Sequence, residues 1–248
     1  MTQTVLVIGG SGKLGKVACN LLDNAKTPHH VVSVTRAQCI DSQIRKHKPA
    51  FAIELTNCDS VYVNSLRLLE AAVPTIVGAS GLSSDDCDQL NRVAEQSAVP
   101  CLVVPNFSIA AALMNQAVKL VAQHLPDCEI IEYHHAGKKD APSATSLNTA
   151  ALIRHNRESQ AFNASHNADP KSNHIPIHSI RSQGFLARQD IIFGQAGESL
   201  TISLNQIDRC AFEPGILLAA QVLLQLEPGL HHGIEAVMNV PNCESELR

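Results

Sequence analysis

A β-rich run, Thr4–Ile8, ends directly on Gly9-Gly10-Ser11-Gly12-Lys13-Leu14-Gly15, and apolar residues at helical spacing begin at Lys13. Such a junction reads as the first strand, tight turn and helix of a parallel α/β sheet. Glycines let the backbone turn sharply and leave no Cβ in the way of a bound group, while a helix N-terminus offers unpaired N–H groups and partial positive charge. The turn is therefore a seat for a pyrophosphate. Two spacings fit, Gly9/Gly12/Gly15 as GxxGxxG and Gly10/Gly12/Gly15 as GxGxxG, and neither alone is specific. The plainer alternative is a glycine turn that only packs helix against strand. A strand before the turn and a helix after it weigh against that alternative.

The alternation continues. Runs at His30–Val34, Ala50–Leu55, Thr75–Val77 and Cys101–Val104 read as further strands, with Lys13–Leu22, Ser60–Ala72 and Ser83–Gln96 as crossover helices. This is the pattern of a doubly wound, Rossmann-type parallel sheet. After Pro105 the character changes to a helix near Ala111–His124, an alternating strand Glu129–His134, a helix Thr145–His155 and a polar stretch from Asn156 to His174, read as a loop. Alternating runs at Gln189–Phe193 and Ser199–Leu204 predict antiparallel strands with one face solvated or turned to a partner. The expected architecture is an N-terminal Rossmann-type domain and a second α+β domain for substrate and oligomerisation, with a mixed, largely antiparallel sheet. Its boundaries are 1–108 with 209–248 for the first domain and 109–208 for the second. The apolar helix Gly215–Leu226 and the tail to Arg248 are free to pack back on the first domain.

At 248 residues and 45% hydrophobic content the chain can bury a full core. A formal net charge of −4 supplies no global field for nucleic acid or an anionic membrane. No stretch offers the roughly 18 consecutive apolar residues of a spanning helix, and the opening MTQTVLVIGG is not a signal peptide. The eight cysteines form no CxxC pair and read as buried small hydrophobes in a reducing compartment. The expectation is a cytoplasmic protein with neither nucleic-acid nor membrane partners. Asn163-Ala164-Ser165 then carries no weight as a glycosylation acceptor.

Where the second strand ends, Thr35 and Arg36 occupy the place of the acidic residue that accepts from an NAD ribose. No carboxylate repels a 2′-phosphate there, and a guanidinium binds one in bidentate fashion, so NADPH is favoured, with NADH still possible. A surface arginine at a strand end is the plain alternative. The densest chemistry lies in Glu132-Tyr133-His134-His135-Ala136-Gly137-Lys138-Lys139-Asp140-Ala141-Pro142-Ser143-Ala144-Thr145. Two imidazoles, two ammonium groups and the hydroxyls of a helix start suit a small dicarboxylate, with histidine a ready proton donor near neutral pH. Singly, each residue has a bland reading as a cap or a solvated charge. No metal is expected, since no ligand spacing such as HExxH accompanies the two histidines, and no GxSxG elbow signals a serine hydrolase.

These residues resemble a known family. HHAGKKDAPSAT is similar to the HHxxKxDAPSGT signature of dihydrodipicolinate reductases, and GGSGKLG, IVGASG at 76–81, PNFSI at 105–109, Gly197-Glu198 and Arg209–Phe212 fall where that family has its other motifs. The resemblance covers nearly the whole chain. It implies NAD(P)H-dependent reduction of a cyclic imine dicarboxylate to tetrahydrodipicolinate in lysine and diaminopimelate biosynthesis, by a homotetramer assembled through the second domain's sheet. It further implies His134 as proton donor and Lys138 as the essential lysine, with His135, Ser143, Ala144 and Thr145 binding substrate. Gly9, Gly10, Ser11, Gly12, Lys13, Leu14, Thr35, Arg36, Gly78, Ala79, Ser80, Val104, Pro105, Asn106 and Phe107 then contact the cofactor. Four departures stand out: Ala144 for the glycine of DAPSGT, GAS for GTT beside the cofactor, Gln189 for a histidine, and Leu204 for another. They motivate two alternatives, a paralogous reductase of another cyclic imine or enone carboxylate, and a non-catalytic NADPH sensor. A semialdehyde dehydrogenase would need a nucleophilic cysteine, and neither Cys101 nor Cys128 has a base beside it in sequence.

Overall fold

The computed structural model describes residues 3–24, 29–159 and 174–238. The chain folds as two units, Met1–Ile109 with Arg209–Arg248, and Ala110–Asp208.

In the first unit the strands β1 (Thr4–Ile8), β2 (His30–Val34), β3 (Phe51–Glu54), β4 (Thr75–Val77), β5 (Pro100–Val103) and β10 (Gly229–His232) form one sheet in the order β10-β5-β4-β3-β1-β2. Every pairing is parallel. Helices α1 (Lys13–Asp23), α2 (Ile40–His47), α3 (Val61–Glu70) and α4 (Ser84–Gln96) make the crossovers. Continuous burial of Val5–Ile8, Phe51–Ile53 and Cys101–Val104 is what a sheet covered on both faces requires. After β2 the chain crosses β1 to build β3 on its other side, so the switch point of the sheet lies at the C-terminal ends of β1 and β3.

Two elements here were not foreseen. Helix α2 has only eight residues and one fully buried position, Ile40; Asp41 in its first turn and Arg45, Lys46 and His47 in its last complement its dipole. Strand β10 pairs with β5, so the segment after α7 (Glu213–Val222) extends the parallel sheet through the short, histidine-containing Gly229–His232.

In the second unit β6 (Asp127–His134), β7 (Ile177–Arg181), β8 (Ala187–Gln195) and β9 (Glu198–Gln206) form a sheet in the order β7-β6-β8-β9. Strands β8 and β9 are antiparallel to their neighbours, and β7 runs parallel to β6. Helices α5 (Ile109–Val121) and α6 (Ala144–Ser159) cover one face, where Met114, Val118, Ala150 and Ile153 pack on Cys128, Ile130, Ile191 and Phe193. Strand β7 was not anticipated, because Ile177-His-Ser-Ile-Arg has no strict alternation of apolar residues. The expected loop from Asn156 is corrected in its first part: α6 continues to Ser159, and the Arg157 guanidinium donates to the Leu125 carbonyl at 3.1 Å. The rest of that stretch up to residue 173, Asn163-Ala164-Ser165 included, and the tail from 239 with Cys243 lie outside the described residues.

The cysteine reading also needs correction. Only Cys101 and Cys128 are buried among the seven described, whereas Cys39, Cys58 and Cys210 are exposed. Burial pushes the Cys101 thiol up to about 12 and the Cys128 thiol up to about 11, so neither is a thiolate nucleophile near neutral pH. Among the described residues no helix is long and apolar enough to cross a membrane.

Candidate functional site

Both candidate clusters sit where regular elements end. In the first unit the turn after β1 is closed by hydrogen bonds from Gly12 N–H to the Gly9 carbonyl at 2.9 Å and from Gly9 N–H to the Val34 carbonyl at 2.9 Å. Gly9 has φ +81° and its missing Cβ would lie 2.8 Å from the Leu55 oxygen; a Cβ on Gly15 would lie 2.2 Å from the Gly9 oxygen. Gly10 is equally confined, since its Cβ would meet Ser33 Oγ at 2.3 Å. The glycines are therefore required by the close approach of neighbouring groups to the backbone. Gly12 caps α1 without a side-chain hydrogen bond and no acidic residue stands in the first turn. The first N–H groups and the positive helix end are thus left for an anion. Ser11, Gly12 and Lys13 are exposed and Leu14 half-buried, which fits the pyrophosphate of a dinucleotide.

The other expected cofactor residues lie at the same strand-end edge of this sheet. Thr35 and Arg36 are exposed in the turn after β2, where Thr35 N–H donates to Gln38 Oε1 at 2.8 Å. Gly78 and Ala79 follow β4 and donate their N–H groups to the Glu54 carbonyl at 2.8 and 3.3 Å, with exposed Ser80 next. After β5, Val104 and Phe107 are buried, Pro105 is exposed and Asn106 turns its side chain to accept from Ser108 N–H at 2.9 Å. A Cβ on Gly78 would sit 2.5 Å from the Phe107 ring, so the two loops are fitted to each other.

In the second unit His134 ends β6, and the chain turns back through Lys138 N–H donating to the His135 carbonyl at 3.0 Å. The Lys138 ammonium is pinned by Asp140 at 2.9 Å, and that ion pair holds the Asp140 carboxyl below its ordinary range. His135 and Lys139 are exposed. Ser143 caps α6: its Oγ accepts from Ser146 N–H at 3.2 Å. The expected substrate residues thereby separate. Ser143 is 2% exposed with its N–H committed, while Ala144 and Thr145, the next two residues, are exposed at the helix start. Ala144 stands in an ordinary helical position, not a left-handed one, so no backbone strain accompanies this replacement of glycine.

Sequence reasoning missed the group to which this cap is tied. Glu132 is 0% exposed on the core face of β6 and receives the Ser143 N–H on both oxygens, at 3.1 and 2.9 Å. Ser146 Oγ, Ser179 Oγ and Arg181 Nη2 each donate to it at 2.7 Å. Burial pushes this carboxyl up, but the hydrogen bonds from Ser143, Arg181, Ser179 and Ser146 outweigh it and hold the carboxyl at about 2. Because that value lies below the ordinary 4.5, the stability Glu132 contributes is present above about 4.5 and is lost as pH falls toward about 2. A signal was legible: the alternation that buries Cys128 and Ile130 places Glu132 on the same face, and a buried carboxylate demands partners.

Glu132 Oε2 is also 3.9 Å from His134 Nδ1, which is buried without a hydrogen-bond partner; the His134 side chain is 13% exposed. Burial lowers the His134 imidazole below its ordinary 6.5, the charges of Lys138 and Arg181 lower it further, and Glu132 and Asp140 oppose them. The two histidine departures prove to be cross-strand neighbours. Gln189 pairs with Leu204 on β9 and with Glu132 on β6. The buried Gln189 amide donates to Ser146 Oγ at 3.3 Å and accepts from Thr149 Oγ1 at 3.3 Å, while Leu204 packs on the apolar core. Both changes lie beneath α6, not among its exposed first residues.

Residues 3–107 match the model of the family described as dihydrodipicolinate reductase, N-terminus, and residues 108–238 that described as dihydrodipicolinate reductase, C-terminus. The chain is 36% identical over 244 residues to a 4-hydroxy-tetrahydrodipicolinate reductase of Legionella pneumophila, spanning 96% of this chain and 100% of that one. A Coxiella burnetii protein of the same name is 33% identical over 242 residues, spanning 96% and 100%. Among solved structures, a dipicolinate-bound dihydrodipicolinate reductase from Paenisporosarcina sp. TG-14 superposes with a TM-score of 0.80 at 28% identity, covering 96% of this chain and 100% of that one. A protein of gentamicin A biosynthesis in complex with NAD, at 11% identity and a TM-score of 0.61, shares the fold alone.

Proposed function

The chain belongs to the dihydrodipicolinate reductase family, and from that membership we propose how its own residues divide the work of the reaction. The activity is an oxidoreductase step, NAD(P)H-dependent reduction of 4-hydroxy-tetrahydrodipicolinate to tetrahydrodipicolinate in lysine and diaminopimelate biosynthesis. The single observation that carries the division of labour is that Glu132, 3.9 Å from His134 Nδ1, also accepts the Ser143 N–H that opens α6, so that the end of β6 is tied to the exposed helix start at Ala144 and Thr145, with Lys138 fixed by Asp140 on the loop between them. Bound reduced nicotinamide supplies the hydride. Hydride addition to a conjugated imine leaves negative charge that must be protonated, and His134 holds the proton for it. Lys138, fixed by Asp140, and the N–H groups of Ala144 and Thr145 bind and orient the carboxylates, with His135 beside them and Ser143 setting the cap.

In the first unit Gly9–Leu14 hold the pyrophosphate, and Gly78–Ser80 with Val104–Phe107 line the nicotinamide end. Thr35 and Arg36 meet the adenosine ribose, and NADPH is the preferred cofactor because a guanidinium there pairs with a 2′-phosphate. Arg36→Ala is expected to raise KM for NADPH about tenfold, the value of one charge-assisted pair, and to leave KM for NADH unchanged. Steady-state kinetics with both cofactors reads this. Equal effects on the two would assign Arg36 no part in 2′-phosphate binding.

The second unit, besides carrying substrate, is the assembly unit of a homotetramer. One face of its sheet is covered by α5 and α6, and the other presents Tyr133, Ile180 and Arg188, with the Arg188 guanidinium 5.0 Å from the Tyr133 ring centre. Sedimentation at micromolar concentration should give four times the 26.6 kDa protomer mass. A protomer mass would reject this. Exposed cysteines at Cys39 and Cys58 suit a reducing compartment, which supports a cytoplasmic location.

A further inference from the structure

We propose that Glu132 is a positioning residue of the reductase reaction, holding the α6 cap and Arg181 so that the proton donor and the carboxylate-binding residues face one ligand. This rests on the reading of His134, Lys138, Ala144 and Thr145 as the substrate side of the site. Glu132 itself touches no reacting atom. It acts through three elements that would otherwise be independent: the loop 135–143, the start of α6, and the end of β7.

The case rests on the donors. Ser143 N–H, Ser146 Oγ, Ser179 Oγ and Arg181 Nη2 all point at the same two oxygens. Only an ionised carboxylate accepts that many, because a neutral amide would turn two hydrogens of its own toward donors. Arg181 ties the assembly to the loop, since Nη2 also donates to the Asp140 carbonyl, at 2.6 Å, and Asp140 is the residue that pins Lys138. Behind the carboxylate the direction of donation is fixed. Gln189 Nε2 donates to Ser146 Oγ and Ser146 Oγ donates to Glu132, while Ser143 Oγ also donates to Ser146 Oγ at 3.1 Å. Gln189, in place of the family's histidine, thus supports this carboxylate from beneath α6 and stays away from the ligand. A chain of this sense ends only on an acceptor, and Glu132 is that end.

The second consequence is electrostatic. The charged groups facing His134 are Glu132 on its own strand, Lys138 and Asp140 from the following loop, and Arg181 from β7. Removing the Glu132 charge leaves two cations against one exposed carboxylate, which disfavours the protonated imidazole. A role confined to packing would not move that equilibrium.

The test uses the full-length protein, dipicolinate as a non-reacting dicarboxylate probe, and NADPH, each titrated calorimetrically on wild type and Glu132→Gln. Wild type should bind both. The variant should bind dipicolinate about tenfold or more weakly with NADPH affinity unchanged. Its alkaline fall in turnover should move to lower pH, and Glu132→Asp should recover part of the affinity. Glu132→Gln with wild-type dipicolinate affinity and an unmoved pH profile overturns the proposal, even if its melting temperature drops. A wild type that binds NADPH but not dipicolinate overturns the substrate reading, and this one with it. If Glu132→Gln does not fold, Ser146→Ala, which keeps the carboxylate and removes one donor, carries the test: a weakening of about threefold or more supports the proposal and wild-type affinity overturns it.

Discussion

His134→Gln is expected to lower turnover by about 10²–10⁴-fold, the usual worth of a positioned general acid, while NADPH affinity stays within about twofold. The loss should fall on kcat more than on KM, because the proton is needed as charge develops and not when substrate docks. The pH dependence gives a second signature. Burial and the charges of Lys138 and Arg181 lower the His134 imidazole below its ordinary 6.5. The donor form is therefore complete well below that pH and is lost as pH rises through the depressed value, so wild-type turnover should fall on the alkaline side from below neutrality. In His134→Gln that limb should disappear, leaving a slow, flat profile. A variant that kept wild-type turnover and the same limb would remove His134 from the chemistry.

Gly15→Ala is expected to weaken NADPH binding by about 100-fold or more and to destabilise the first unit by about 1–3 kcal/mol, as overpacked sites do. The added methyl would lie 2.2 Å from the Gly9 oxygen, 2.7 Å from Gly10 Cα and 2.9 Å from the Gly9 carbonyl carbon. All three are backbone atoms of the turn itself, so no side chain can swing aside; α1 must move off the turn and take its N–H groups with it. Gly194→Ala is the control, because its Cβ would have no closer neighbour than the Glu198 oxygen at 4.0 Å. Its NADPH affinity should match wild type in fluorescence titration. If Gly15→Ala also matched wild type, the turn after β1 would not be the pyrophosphate seat.

Much of the first unit was legible because its signals are local. Thr4–Ile8, His30–Val34 and Thr75–Val77 are apolar runs bounded by turns, and the helix beginning at Lys13 follows glycines that admit few alternatives. Helix α2 escaped because an eight-residue helix with one buried residue, Ile40, offers too few apolar positions to show a period, and β10 because a four-residue strand is fixed by its partner β5 and not by its own pattern. Strand β7 belongs to the same class: Ser179 and Arg181 are polar because they serve Glu132 across the sheet, which spoils the alternation that would have marked the strand. The candidate site shows the same division. His134, Lys138 and the cap at Ser143 lie within ten residues and were visible as a cluster. Arg181, Ser179 and Gln189 reach it only through strand pairing, and Ser146 reads in sequence as one more small helix residue. The cysteines misled for a similar reason, since the sequence around Cys58 and Cys210 does not decide which face of the fold a residue takes.

The most direct test of the account is NADPH oxidation by the purified protein, followed by loss of the reduced nicotinamide's absorbance, with substrate generated in the cuvette from pyruvate and aspartate semialdehyde by a coupled synthase. The account predicts rapid oxidation that depends on both precursors and the synthase and is inhibited by dipicolinate. Clear NADPH binding with no oxidation above the rate without substrate would contradict it.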